Sequence, residues 1–540
     1  MCAITRRELC RNIALSGAAS VWLRPSSSGR AVSAATTDAS VTIATNRAPS
    51  DLDPQSAYDA GSGVPLQGPF ESLIRLKPGS IVEYTPLLAE RWQSNADQSV
   101  WTFTLRPDLT FQDGTPCDAA AVRDSFQRLF TLGLAPSTVL GRFLQDATQI
   151  ATPDPQTVVF DLERPQPLFE AAIAAPYGAA IVNARAAKAH EVDGDWGHGW
   201  AQTSADGMGT GPYRITRFDP ADAVVLDRFD GYWGGWEGQH LDRVVIRIVA
   251  EGETRRQLIE NGAVDVAENV PPSAIPALEK NSDVVVIHRY NLAVNYVAMT
   301  VAGPLESPAA RQALCWAFPY DDVIKGVLDG FAKRAIGPVA ELCRGFDPAT
   351  FVYQTDLDRA RGLLDQAGIA GNTTLTMLLL SGNQRFEQIF ELLGANLETL
   401  GLKLEPTTVD FATYLAIATG DQPAAERPHL VPSFWQPDYN DAWNHLWPQL
   451  SCQAWTVGNI GHYCNAQVED LLARARDAAD DQTYRRALST IQQIVTRDDP
   501  AAIYYAQPEW ITVLRKDLGG LVLNPIVSEI HDFYGLHRTD

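Results

Sequence analysis

The sequence predicts an α/β protein built in two halves, and three observations lead there. Short β-rich runs at 243–249 and 284–290 alternate with amphipathic helical stretches at 254–261, 356–367, 385–400 and 468–478, an alternation that makes layered α/β domains. The pattern occurs in both halves of the chain. With 540 residues, 45% of them hydrophobic and 20% charged, the chain is long enough for two or three domains and too apolar to remain unfolded.

The amino terminus is the first element. Thr5-Arg6-Arg7-Glu8-Leu9 precedes a short apolar run over 12–23, and Val32-Ser33-Ala34 offers small residues for cleavage, so 1–34 is expected to be an export signal. Arg6 and Arg7, with Arg24 and Arg30 after the apolar run, fit the twin-arginine route. Removing this segment takes away five Arg and one Glu, a net +4, and moves the charge from −22 to near −26. Such acidity argues against a nucleic-acid partner, because affinity for phosphates needs clustered Lys and Arg.

Export changes how the cysteines are read. Cys452 and Cys464 flank a polar, Gly-containing loop, and in an oxidising compartment they are either a local disulfide or two buried thiols. Cys117, Cys315 and Cys343 are expected in the core, and the odd count leaves at least one free thiol.

Further along, 41–45 is a short strand leading into a loop and then a helix, with Tyr58-Asp-Ala-Gly-Ser-Gly63 between them. Gly61 and Gly63 permit close backbone approach, for a tight turn or a ligand, and Ser62 lies between them as a candidate ligand contact. Alternation over 100–106 marks a half-buried strand, and the turn-rich stretch 107–116 opens a helix at 119–130. Last comes His429-Leu-Val-Pro-Ser-Phe-Trp-Gln-Pro-Asp-Tyr-Asn-Asp441, a buried strand running out into an aromatic loop with carboxylates. A carboxylate taken out of water must be paired or hydrogen-bonded, so Asp438 is either a loop acid or the counter-charge of a cationic ligand group.

Leu88-Ala-Glu-Arg-Trp92, Trp101-Thr-Phe-Thr-Leu-Arg106 and Phe111-Gln-Asp-Gly-Thr-Pro116 resemble the signature of the family 5 extracellular solute-binding proteins. The likeness continues at Gly209-Thr-Gly-Pro-Tyr213, Asp230-Gly-Tyr-Trp233, Leu241-Asp-Arg-Val-Val-Ile-Arg247, 253–265 and 307–317, in order along nearly the whole chain after the signal. These are the peptide- and nickel-type binding components of ABC importers. The resemblance implies a two-lobed periplasmic-binding-protein-like fold (type II, cluster C) with an extra domain inserted in lobe one. On this sequence lobe one falls at 40–85, 186–294 and 501–540, the inserted domain at 86–185 and lobe two at 295–500.

In peptide-binding members an Asp in an aromatic loop holds the ligand's α-ammonium, and Trp435-Gln-Pro-Asp-Tyr439 matches that pattern, which implies that role for Asp438; Trp435 and Tyr439 are candidates for apolar or cation–π walls, with packing of Trp435 under the loop as the alternative. The spacing of Cys452 and Cys464 resembles a disulfide loop of dipeptide-binding members. The arginine that such members offer to the ligand carboxylate is absent from Thr376-Met-Leu-Leu-Leu380, leaving Arg344 or Arg385 for it. The expected partners are a peptide ligand and an ABC permease with its ATPase, with membrane contact only through the permease. The protein is expected to be periplasmic and monomeric, with no cofactor and no enzymatic activity; nucleophile-elbow, P-loop and metal-ligand spacings are missing. The alternative is a nickel, metallophore or other non-peptide ligand, with His429, His445 and His462 near the same loop.

Overall fold

One strand belongs to both halves of the molecule. Ala502–Arg515 pairs through its first residues with Val294–Met299 and through its last with Val266–Glu268 and Val284–Tyr290. The computed structural model describes residues 39–478, 480–527 and 531–539, so the export signal expected over 1–34 lies outside the described residues.

The shared strand sits in the middle of a twelve-stranded mixed sheet. From one edge its main path runs Lys403–Val409, Thr374–Leu380, Leu430–Trp435, Val294–Met299, Ala502–Arg515, Val266–Glu268, Ser40–Thr45, Arg243–Ile248, Ala223–Arg228 and Tyr213–Asp219. A second crossing accompanies it: Val284–Tyr290 lies in the first half and Val294–Met299, four residues on, in the second. Gln507 ties the two crossings by donating to the Asn291 carbonyl at 2.8 Å. The chain thus crosses between its lobes on adjacent strands, the arrangement of a hinge.

Pro432 tests the strand Leu430–Trp435, because proline cannot donate to a ladder. Its pairing with Thr374–Leu380 is confined to Leu430, and Pro432 instead faces Val297 and accepts a hydrogen bond from the Tyr414 hydroxyl at its carbonyl. The missing donor therefore falls where one side of the ladder has already ended.

A separate antiparallel sheet of four strands, Ala89–Ser94, Val100–Leu105, Thr157–Asp161 and Ile150–Asp154, carries the helix Ala119–Leu132. The alternation read over 100–106 buries Trp101, Phe103 and Leu105 and leaves the intervening residues half-exposed. Asp118 caps the helix by accepting from Ala121 N–H, and Gly133 ends it at φ 61°, a left-handed conformation that favours glycine.

The family-like motifs meet around one buried carboxylate. Glu71 accepts from Thr210 at 2.9 Å, Tyr232 at 2.7 Å and Trp233 at 2.8 Å. Gln112 donates to the carbonyls of Gly211 and Tyr213, and the Arg106 guanidinium stacks on Trp233. A Cβ on Gly209 would stand 1.8 Å from the Pro69 carbonyl oxygen, so only glycine lets these segments touch. These motifs hold the small sheet to the first lobe; their chemistry is structural.

Candidate functional site

The loop after Leu430–Trp435 turns inward at Asp438, which is 5% exposed. Its first support comes from the helix Trp443–Leu450: the Asp438 N–H donates to Asn444 Oδ1 at 2.5 Å, and Trp435 Nε1 donates to the Asn444 carbonyl at 2.7 Å. Its second support comes from the other lobe, where the Tyr58 hydroxyl donates to Asp438 Oδ2 at 2.9 Å. No ion pair joins Asp438 to a cation among the described residues. Burial pushes its pKa up to about 6 against the pull of the Tyr58 and Asn444 hydrogen bonds, and the same burial, with the neighbouring carboxylate, drives the Tyr58 hydroxyl well above its ordinary value. An acid left buried with one phenol and one amide for company has capacity for a cation.

Beside it lies a second buried acid. Asp441, 0% exposed, accepts from Tyr484 and from Trp443 N–H, and Arg344 stands 3.6 Å from its other oxygen. Burial raises its pKa while Arg142 and Arg344 hold it down. Arg142 reaches this cluster from the segment that carries the small sheet, its guanidinium 4.5 Å above the Trp443 ring and 5.4 Å from the ring of Tyr484. Further contacts bridge the lobes: Asn440 donates to the Ile81 carbonyl at 3.1 Å, the rings of Phe143 and Tyr439 lie 6.3 Å apart, and Arg164 pairs with Asp477 at the rim. The described arrangement is closed.

The sequence-derived candidates distribute unequally. Asp438, Trp435 and Tyr439 share the loop, with Tyr439 buried and Trp435 half-buried. The Trp435 ring also lies over Gly458, where an added Cβ would come 2.5 Å from it, so the indole packs on the loop between Cys452 and Cys464. Those two cysteines form a disulfide, and Cys117, Cys315 and Cys343 are free and buried. Arg344 is beside the site but engaged: its backbone N–H donates to Asn440, its side chain donates to Asp481 at 2.8 Å, and it approaches Asp441. Arg385 is exposed on the first turn of Gln384–Thr399, and among the described residues no hydrogen bond or ion pair joins it to the loop.

Gly61 and Ser62 lie in the helix Ala60–Leu66, and their groups serve packing. A Cβ on Gly61 would meet the Ala48 carbonyl oxygen at 2.5 Å, and Ser62 Oγ accepts from the N–H groups of Ser50 and Asp51. Neither glycine of the pair has positive φ, so close approach and not a tight turn explains them.

The three histidines have separate settings. Thr376 N–H donates to the His429 ring, His462 stacks on Trp455, and His445 is fully buried with its pKa pushed down to about 3 by desolvation. Among the described residues no group of three or more His, Cys, Asp or Glu side chains is placed to hold a metal ion.

Tyr58, Arg142 and Tyr484 were not legible as site residues. Tyr58 is 380 positions from Asp438 and Arg142 is 342 from Tyr484, and no local pattern marks any of them.

Residues 83–456 match the family model described as bacterial extracellular solute-binding proteins, family 5 Middle. The probable D,D-dipeptide-binding periplasmic protein DdpA of Escherichia coli (strain K12) is 29% identical over 490 residues, covering 89% of this chain and 91% of the relative. The glutathione-binding protein GsiB of the same organism is 26% identical over 457 residues, covering 83% and 85%. Among solved structures, the periplasmic binding protein DppA from Helicobacter pylori in complex with the peptide STSA superposes with a TM-score of 0.82 at 22% identity, covering 93% of this chain and 98% of that one. No helix among the described residues is long and apolar enough to cross a membrane. The family model spans more than half of the sequence, on the two-lobed architecture that the shared strand organises, and the chain belongs to the family 5 bacterial extracellular solute-binding proteins.

Proposed function

We propose that this protein is the substrate-binding component of an ABC importer that captures peptides in the periplasm and delivers them to a membrane permease served by an ATPase. The observation that carries the reading is Asp438: a buried carboxylate between two lobes, its pKa raised to about 6, with a tyrosine hydroxyl opposite it and, among the described residues, no ion-paired cation. A peptide's α-ammonium supplies the missing charge, and a charge-assisted hydrogen bond of that kind contributes roughly 1.5–3 kcal/mol. Trp435 and Tyr439 wall the amino end. The cycle is capture, closure and release without chemistry.

The reading assigns lobe one to 40–85, 186–294 and 501–540, the inserted domain to 86–185 and lobe two to 295–500. The strand crossing near 291–294 and the self-contained small sheet support the limits at 294/295 and around 86–185, whereas the second crossing, near 507–508, lies several residues beyond the limit at 500/501, because residues 502–506 still pair with Val294–Met299. Export by the twin-arginine route, supported by the Arg6-Arg7 pair and by periplasmic relatives, and a monomeric state complete the proposal.

The test is thermal denaturation of the mature protein, stripped of co-purified ligand, against di- to pentapeptides and nickel, beside Asp438→Asn. A ligand that binds only the folded state adds about 2.7 kcal/mol at a hundredfold excess over its Kd. Peptides should raise the midpoint of the wild type and leave that of Asp438→Asn unmoved. A shift with nickel or its chelates and none with any peptide overturns the assignment.

A further inference from the structure

The hydrogen bond from Tyr58 to Asp438 spans 380 positions of sequence and joins the two lobes at 2.9 Å. Opening the lobes withdraws the Tyr58 hydroxyl from Asp438 Oδ2 and admits water to the carboxylate; closing them leaves Asp438 5% exposed. A carboxylate that stays ionised through closure loses solvation, and among the described residues no cation pairs with it in return. Two counter-ions restore the balance. One is the ammonium of a captured ligand, in the capture-and-closure cycle proposed above on which this inference rests; the other is a proton.

The groups packed around Asp438 do not supply that proton or compete for it near neutral pH. Tyr58 faces it from lobe one, with the Tyr177 ring edge-on behind at 5.3 Å, and Tyr439 follows it in the loop. Burial drives the phenols of Tyr58 and Tyr439, and of Tyr484 beside the loop, well above their ordinary range, so they stay neutral. From the helix Trp443–Leu450, Asn444 carries no charge, and His445, its pKa pushed down to about 3, stays neutral as well. The other buried acid, Asp441, is also raised by burial, but Arg142 and Arg344 oppose that rise and Arg344 stands 3.6 Å from it. Its charge therefore has cations beside it when the lobes are shut, and that of Asp438 does not.

We infer that closure of the ligand-free protein takes up a proton at Asp438, so that the proton and the ligand's ammonium are alternative counter-ions of one carboxylate: the empty lobes stay open at neutral pH and close as the medium turns acid. The direction follows from linkage. The closed state holds the proton with a pKa of about 6 against an ordinary 3.8, so acid favours closing, and that advantage is lost as pH rises through 6. The ratio of closed to open empty protein should be about tenfold higher at pH 5 than at pH 7.5. Above pH 6 a closed protein then signals cargo to the permease, and in acid it does not.

Small-angle scattering of the full mature protein, stripped of ligand, at pH 7.5, 6 and 5 tests this, with Asp438→Asn measured alongside. The wild-type radius of gyration should fall toward that of the closed arrangement as pH is lowered. Asp438→Asn, neutral throughout, should keep the acid wild-type radius at all three values. Equal wild-type curves across the series overturn the inference with no variant involved. An Asp438→Asn radius that still falls in acid places the proton on Asp441 or elsewhere and also overturns it, as does one that stays at the neutral wild-type value. No sample in this series contains peptide, so the peptide reading fails separately: protein that closes in acid, with no di- to pentapeptide raising its melting midpoint, retains proton-linked closure and loses the peptide.

Discussion

At the scale of single residues the consequence of burying Asp438 is a pH signature. Its folded pKa, about 6, lies above the ordinary 3.8, so the folded state holds the proton more tightly than the unfolded chain. Stability from this group is therefore greatest when it is protonated, declines as pH rises from about 4 to about 6, and stays reduced above that, by about 2–3 kcal/mol in all. Asp438→Asn keeps an acceptor for Tyr58 and removes the charge. Its melting temperature without ligand should match the wild type at pH 3.5 and exceed it at pH 7.5, in paired melts across that range; a difference that does not change with pH contradicts the assignment. Binding of an amine has the opposite slope, because it needs the carboxylate: affinity at pH 5 should be about tenfold below its plateau above pH 7. Asp438 was legible because its aromatic loop resembles a family pattern. Tyr58 was visible only as one residue of a glycine-punctuated run, since nothing local says which distant acid a tyrosine will meet.

Secondary-structure elements explain how the loop keeps its shape. The strand Leu430–Trp435 delivers it, the helix Trp443–Leu450 pins it through Asn444, and the disulfide loop carries Gly458 beneath the Trp435 ring. Cross-linking Cys452 to Cys464, 12 residues apart, restricts the unfolded chain, and loops of this size contribute about 3 kcal/mol in the chain-entropy account. The paired variant Cys452→Ser with Cys464→Ser should lose about 2–3 kcal/mol in urea unfolding and bind peptide more weakly. If its unfolding midpoint and its affinity both equal the wild type's, the loop is not coupled to the site. The elements themselves were largely readable. The helices expected at 356–367 and 385–400 are Leu357–Gln366 and Gln384–Thr399, with Asp356 and Asn383 as side-chain caps. Gly61 illustrates the limit: the sequence offered a tight turn or a ligand contact for it, while the Ala48 carbonyl that imposes close approach was not legible.

For the whole molecule the decisive feature is that two adjacent strand crossings join the lobes and the cleft between them is shut. The interlobe contacts include the Tyr58 to Asp438 and Asn440 to Ile81 hydrogen bonds, the rings around Arg142, a half-exposed ion pair between Arg164 and Asp477, and a buried apolar cluster continuous from the small sheet and Phe143 to Tyr439, Trp443 and Leu446. Exposed pairs contribute about 0–1 kcal/mol each, so the rim pair alone does not hold the lobes together. Ligand held at Asp438 against the opposite lobe adds contacts available only when the lobes meet, and it shifts the population by its preference for that state. Small-angle scattering should therefore show a larger radius of gyration for stripped protein than for protein saturated with peptide. Identical curves in the two states mean that the lobes do not open.

The fold class, the helix and strand placements, the cysteine pair and the acidic loop could be read along the chain because each depends on local periodicity, spacing or a short motif. The meeting of Tyr58 with Asp438 and of Arg142 with Trp443 and Tyr484 could not. Those contacts depend on how two lobes, joined by a shared strand, close on each other, and no local segment encodes the angle at which that happens.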